Sequence, residues 1–152
     1  MEIVVVREAP DTEDAEALVL ELEDHLAERY PAESRHGYSV ARLLEQQVAF
    51  FVARVDGAPA ACGGVQLVGA EYGEIKRMWV RPQFRRLGLG RAVLEHLAQH
   101  TLEHGVDVLR LETGVDQAAA IALYEQFGFR RISPFPPYRD DPLSLCFECG
   151  LR

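Results

Sequence analysis

The chain has 152 residues, enough for one compact domain with a real core and too few for two ordinary ones. With 48% hydrophobic and 26% charged residues it has the balance of a soluble globular protein, and no apolar run approaches the length of a bilayer span. A formal net charge of −8 argues against a nucleic-acid partner, because phosphate backbones demand a concentrated excess of Lys and Arg.

The opening Met1-Glu2-Ile3-Val4-Val5-Val6 turns charged without the basic-then-apolar order of a secretory leader, so the expected location is cytoplasmic, with no membrane partner. Residues 3 to 7 read as a β-branched strand broken at Pro10. A helix follows, capped by Asp11 or Thr12, with Ala15, Leu18, Val19, Leu22, Leu26 and Tyr30 at helical spacing until Pro31 ends it. The polar stretch from 31 to 37 is a loop, after which Ser39 caps a short helix through about Gln46. Strands at about 48 to 55, 59 to 68 and 72 to 80, joined at Asp56-Gly57 and between Gly69 and Gly73, form an antiparallel meander.

Past Pro82 the pattern becomes a helix from about Gly88 to His104, with Val93, Leu94, Leu97, Ala98, Thr101 and Leu102 on one face and Gly105 as its stop. A strand at about 107 to 112, a helix at about 117 to 127 closed by Gly128, and strands at about 129 to 133 and 143 to 149 complete the chain. The expected fold is α+β, an α/β three-layer arrangement in which helices cover both faces of a mixed, mostly antiparallel seven-strand sheet, with about four helices in one domain over residues 1–152.

Three cysteines, Cys62, Cys146 and Cys149, are an odd number and not a disulfide framework. Cys146 and Cys149 have the spacing of half a zinc site, but no second Cys or His pair stands at a matching distance, so no metal is expected.

Against the acidic background a basic cluster stands out at Lys76, Arg77, Arg81, Arg85, Arg86 and Arg91, which suggests a small anionic ligand. Within it, Arg85-Arg86-Leu87-Gly88-Leu89-Gly90 follows the apolar Met78-Trp79-Val80 and opens an amphipathic helix. Glycines let consecutive N–H groups approach an anion, and the positive end of the helix dipole favours negative charge there. Three phosphate-binding patterns compete. A P-loop requires Gly-Lys-Ser/Thr, where this chain has Arg91-Ala92. A dinucleotide fingerprint requires Gly or Ala where Val93 stands, although Glu112 lies about where a ribose-binding acid would.

The third pattern, Arg/Gln-x-x-Gly-x-Gly/Ala, resembles the GNAT superfamily of acyl-CoA N-acyltransferases, and the resemblance extends from Glu74 to Arg91 as that superfamily's fourth strand, pyrophosphate loop and third helix. Downstream, Gln117 to Phe129, with Leu123-Tyr124 and Gly128-Phe129, is similar to its second motif, with Gln117 where Asn is common. The resemblance implies a sheet splayed between strands four and five and an acetyl-CoA co-substrate. In the splay the pantetheine arm bonds to the backbone of Met78 and Val80, on either side of Trp79, and the N–H groups from Arg86 to Arg91 take the pyrophosphate.

The same resemblance implies direct attack of an amine on the thioester, with Tyr124 as the acid for the departing thiolate and Glu74 as first candidate for the base. A Glu74–Lys76 ion pair on one strand face is the competing reading, and Glu112 is the second candidate. The acceptor pocket falls to the loops from Tyr30 to Tyr38 and from Ser133 to Asp141, with Glu33, His36 and Tyr138 as candidate contacts. Acidic residues there would suit a cationic amine, whereas Arg35 and Arg139 would clamp a carboxylate. The acceptor is a small-molecule or peptide amine. A homodimer is expected by analogy with similar folds. A non-catalytic acyl-CoA sensor is the alternative, against which the presence of Tyr124 argues, and a nicotinamide-dependent enzyme is disfavoured by Val93.

Overall fold

In the computed structural model, which describes all of residues 1–152, the chain opens with strand β1 (Ile3–Arg7) and helix α1 (Glu13–Ala27). Thr12 starts α1: its hydroxyl accepts from Ala15 N–H at 3.2 Å and donates to Glu8 Oε2 at 2.6 Å. Glu13, Asp14 and Glu16 complement the helix dipole in the first turn, and Ala15, Leu18, Val19 and Leu22 form the buried stripe. The helix stops at Ala27, short of the expected Tyr30, because the residue before Pro31 is pushed out of helical geometry. A single 3₁₀ turn (Ala32–Ser34) and helix α2 (Val40–Glu45) follow, the latter capped by the Ser39 hydroxyl accepting from Arg42 N–H at 3.2 Å.

Strands β2 (Ala49–Val55), β3 (Ala58–Val68) and β4 (Tyr72–Val80) form the meander, and helix α3 (Leu89–Glu103), strand β5 (Val108–Gly114), helix α4 (Ala118–Phe127) and strands β6 (Arg130–Ile132) and β7 (Ser144–Gly150) complete the chain. All seven strands join one sheet in the order β1-β2-β3-β4-β5-β7-β6. The interior place of β7 follows from its residues: Cys146, Phe147 and Cys149 are buried, whereas β6 carries exposed Arg130 and Arg131 and forms the edge.

Helices α3 and α4 cover one face over a cluster that includes Leu94, Leu97 and Leu109, and α1 and α2 cover the other over Leu18, Leu43, Phe50 and Trp79. Leu94 and Leu97 are fully buried, so truncating either to Ala costs about 2–5 kcal/mol. No helix is long and apolar enough to cross a membrane. Cys146 and Cys149, three apart on β7, fall in different apolar clusters on opposite faces of the sheet, which removes the half-zinc reading.

Two features of β4 set up the site. The pair β4–β5 is parallel, and its register consists only of Gly73↔Leu109 and Glu74↔Arg110, at the start of β4. Beyond Glu74 the two strands part, as the splay expected between strands four and five requires. On its other edge β4 is bulged: the register to β3 shifts between Cys62 and Gly64, opposite Arg77, which sits at φ 55.

Candidate active site

A cavity of about 840 Å³ opens where β4 and β5 part. Its walls are Ile75 to Val80 of β4, Leu111 to Gly114 of β5, the start of α3 with the loop before it, the inner face of α4, and the loop after α1.

One end is built for an anion. Arg86 (φ 66) and Gly88 (φ 81) both adopt left-handed backbone, which turns successive N–H groups toward one side. The first α3 main-chain bond in this region runs from Ala92 N–H to Gly88 O, so the amides of Arg86, Leu87, Gly88, Leu89, Gly90 and Arg91 have no main-chain acceptor. These are unpaired donors at the positive end of a 15-residue helix. The two glycines serve different ends: Gly88 allows the positive φ, while a Cβ on Gly90 would come 2.6 Å from Leu123 Cδ2, so Gly90 lets α4 approach α3.

The basic cluster read from the sequence needs correction here. Lys76 pairs with Glu74 at 2.8 Å, Arg77 with Glu23, and Arg81 with Glu21 at 2.6 Å. Arg77 is buried and also donates to Tyr38 O at 2.7 Å, so it ties α1 and the loop before α2 to the bulge of β4. The cations left for a ligand at this end are Arg85, Arg86 and Arg91, and Arg91 is shared with Glu95.

Along the splayed edge, Arg81 N–H donates to Ala60 O at 2.9 Å, so by antiparallel alternation Val80 turns its own N–H and C=O away from β3 and into the gap. Val80 C=O already accepts from Arg85 Nε at 3.2 Å. The side chains of Met78 and Val80 pack on the α3 side and that of Trp79 on the α1 side, where its ring lies 4.9 Å from His25. Gln117 lines the cavity without capping α4 through its side chain, and its Oε1 sits 3.2 Å from His25 Nε2.

Tyr124, on α4, lines the cavity and is only 5% exposed. Burial, reinforced by the nearby Glu112 carboxylate, pushes its phenol well above the ordinary tyrosine range. Glu112, on the opposite wall, accepts from Ser144 Oγ at 2.5 Å. Burial raises its carboxyl above the usual carboxylate range, and Glu74 adds to the rise, while the Ser144 bond, His36 and Lys76 act in the other direction.

Glu74 is placed differently from Glu112. It is buried and lies behind the cavity wall, with Oε2 taking both Lys76 Nζ and the Tyr138 hydroxyl, so the ion pair weighed as its competing role is present. Tyr138 does line the cavity, and burial together with Glu74 drives its phenol far above the ordinary tyrosine range. His36 meets the Tyr138 ring edge-on at 5.4 Å and lines the same end, as does Arg35, whereas Glu33 is exposed outside the lining and Arg139 and Leu87 are also outside it.

Several contacts were not legible in the sequence. Tyr30 folds over Gly114 and accepts from Asp116 N–H at 3.0 Å, joining the end of α1 to the start of α4. Glu21 and Glu23, on the polar side of α1, hold Arg81 and Arg77. No local pattern links residues so distant in sequence. The one available signal was Gly37 and Gly114, small residues under the large side chains of Arg77 and Tyr30.

The sequence and the fold have known relatives. The sequence model described as the acetyltransferase (GNAT) family matches residues 15–129. An IAA acetyltransferase of Azospirillum brasilense is 40% identical over 147 residues, covering 96% of this chain and 96% of that protein. The ribosomal protein bS18-alanine N-acetyltransferase of Escherichia coli (strain K12) is 54% identical over 78 residues, 47% of this chain and 53% of its own. Among solved structures, a Klebsiella pneumoniae protein assigned to the acyl-CoA N-acyltransferases superposes with a TM-score of 0.83 at 32% identity, covering 99% of this chain and 98% of its own.

Proposed function

The chain belongs to the acetyltransferase (GNAT) family, and on that premise we propose that it moves an acetyl group from acetyl-CoA to a primary amine of a small molecule, amino acid or peptide by direct attack in a ternary complex. The observation that carries this reading is that Tyr124 and Glu112 line one cavity whose end is a row of unpaired amides, Arg86 to Arg91.

These residues fit acetyl-CoA. The free amides, with Arg85 and Arg86 beside them, would hold the pyrophosphate through charge-assisted hydrogen bonds. The gap-facing N–H of Val80 would serve the arm or polarise the thioester carbonyl, as an oxyanion donor does. Acetyl-CoA supplies the activated acyl group and a good leaving thiolate.

Attack needs a neutral amine. Glu112 is the base in this reading, displacing Glu74, because Glu112 lines the cavity with a raised pKa while Glu74 is held behind the wall by Lys76 and Tyr138. Glu112 first takes one proton from the ammonium. The neutral amine then forms the C–N bond as the C–S bond breaks, and Tyr124, kept protonated by burial, gives its proton to the sulfur. The second proton of the former ammonium leaves the new amide nitrogen and restores the Tyr124 hydroxyl. A thiol-release assay with acetyl-CoA over a panel of amines, amino acids, polyamines and peptides tests the reading. Release that depends on an amine supports it, whereas tight acetyl-CoA binding with no release from any acceptor assigns the chain to the sensor class.

A further inference from the structure

The acceptor end of the cavity carries a charge arrangement that the transfer reading leaves unused. On a chain of net charge −8 the only carboxylates lining this cavity are Glu112 and Asp116. The acids that would attract a polyamine are elsewhere: Glu33 and Asp140 are exposed outside the lining, and Asp141 accepts from Ser34 Oγ at 2.7 Å and from Leu143 N–H at 2.8 Å.

The cations at this end are not all neutralised. Lys76 is matched by Glu74, and Arg77 by Glu23. Arg35 approaches Glu23 only to 3.8 Å, and Glu23 is already engaged by Arg77. Arg35 Nε is the buried side-chain polar atom left without a hydrogen-bond partner. A buried N–H without an acceptor is costly and rare. The rest of the Arg35 side chain is 27% exposed and open to the cavity, and a carboxylate is the group whose two oxygens match the guanidinium fork. The loop that carries Arg35 is held on both sides, by Ser34 bonded to Asp141 and by His36 against Tyr138.

Resting on the transfer reading, we propose that the acceptor is a small amino acid with a free carboxylate, its carboxylate held by Arg35 and its amine delivered to Glu112. Glu112 answers the ammonium and Arg35 the carboxylate, so the site is complementary to a zwitterion and not to a polyamine or a peptide N-terminus.

The test compares steady-state CoA release for a set of amino acids, their carboxamides and the corresponding decarboxylated amines, with the wild type and with Arg35→Gln and Arg35→Lys. The expected result is a preference for the acid over its amide of about tenfold or more in kcat/KM, expressed mainly in KM. In Arg35→Gln that preference falls close to one, and Arg35→Lys recovers part of it. Unchanged acetyl-CoA affinity and thermal midpoint in Arg35→Gln show that the fold and cofactor end are intact. Equal use of acids and amides, or an acid preference that survives Arg35→Gln, overturns the inference while leaving acetyl transfer in place. If no amine of any kind releases CoA, the transfer reading fails first and this one with it.

Discussion

Tyr138 donates its hydroxyl to Glu74 Oε2 at 2.5 Å, the same oxygen that receives the Lys76 ammonium at 2.8 Å. A carboxylate so engaged closes the wall between the loop before β7 and the start of β4, and it is poorly placed to collect a proton from a substrate. Glu74→Gln leaves Lys76 charged and buried without its partner, a loss of about 3–5 kcal/mol for a broken buried pair. Chemical or thermal denaturation is expected to record that loss, while the acid limb of the pH–rate profile persists and moves only downward, because the Glu74 charge that helps raise Glu112 is gone and Lys76 remains. A profile flattened by Glu74→Gln would return the role of base to Glu74.

Glu112→Gln is expected to do the reverse. As base, Glu112 must be ionised, and its raised pKa sets the acid limb of kcat/KM above the ordinary carboxylate range. The variant should lose about 10²–10⁴ in kcat/KM, the usual worth of general base catalysis. Stability moves the other way. Because folding raises this pKa, the native state favours the protonated carboxyl, and the associated stability is present at acid pH and lost as pH rises through the folded value. Near neutral pH the ionised group opposes folding, so Glu112→Gln should melt above the wild type there, with the gap closing as pH falls.

Tyr124→Phe tests the acid. The phenol lies far above neutral pH in its titration, so it is protonated throughout any practical assay and contributes no basic limb. Removing the hydroxyl is expected to lower kcat by about 10²-fold or more without moving the acid limb set by Glu112. The acetyl-CoA dissociation constant, read by titration, should stay close to that of the wild type, because the ring and its contact with Phe129 at 5.6 Å remain. Loss of cofactor affinity with unchanged kcat would make Tyr124 a packing residue.

Much of this fold and part of its site are legible in the sequence because they rest on local chemistry. Thr12 and Ser39 announce their helices through caps within three residues, Gly105 and Gly128 close theirs at positive φ, and the Arg85–Gly90 loop is a contiguous string whose amides lie free from Arg86 onward as its glycines imply. What was hidden depends on residues far apart. The basic cluster looked like a single ligand patch, yet Lys76, Arg77 and Arg81 are neutralised, two of them by acids of α1 more than fifty positions away. The proposed assignment of the base turns on the same fact, since only the folded chain sets Tyr138 against Glu74 and leaves Glu112 facing the cavity.

The loop itself can be divided into charge and backbone shape. Gly88 sits at φ 81, where a Cβ meets nothing within 4 Å but the conformation is unfavourable for an L residue by about 1–2 kcal/mol. Gly88→Val therefore strains the turn that aims the free amides, with little packing cost. Arg86→Glu leaves the turn possible, since Arg86 already occupies positive φ as a non-glycine, and instead sets a negative charge beside the amides. Both variants are expected to weaken acetyl-CoA binding, Arg86→Glu by about tenfold or more and with a marked salt dependence, Gly88→Val with little. Titration at low and high ionic strength separates the two, and in both the acceptor KM at saturating acetyl-CoA should be unchanged. An Arg86→Glu variant that binds acetyl-CoA as the wild type does, at low salt, would remove the pyrophosphate from this loop.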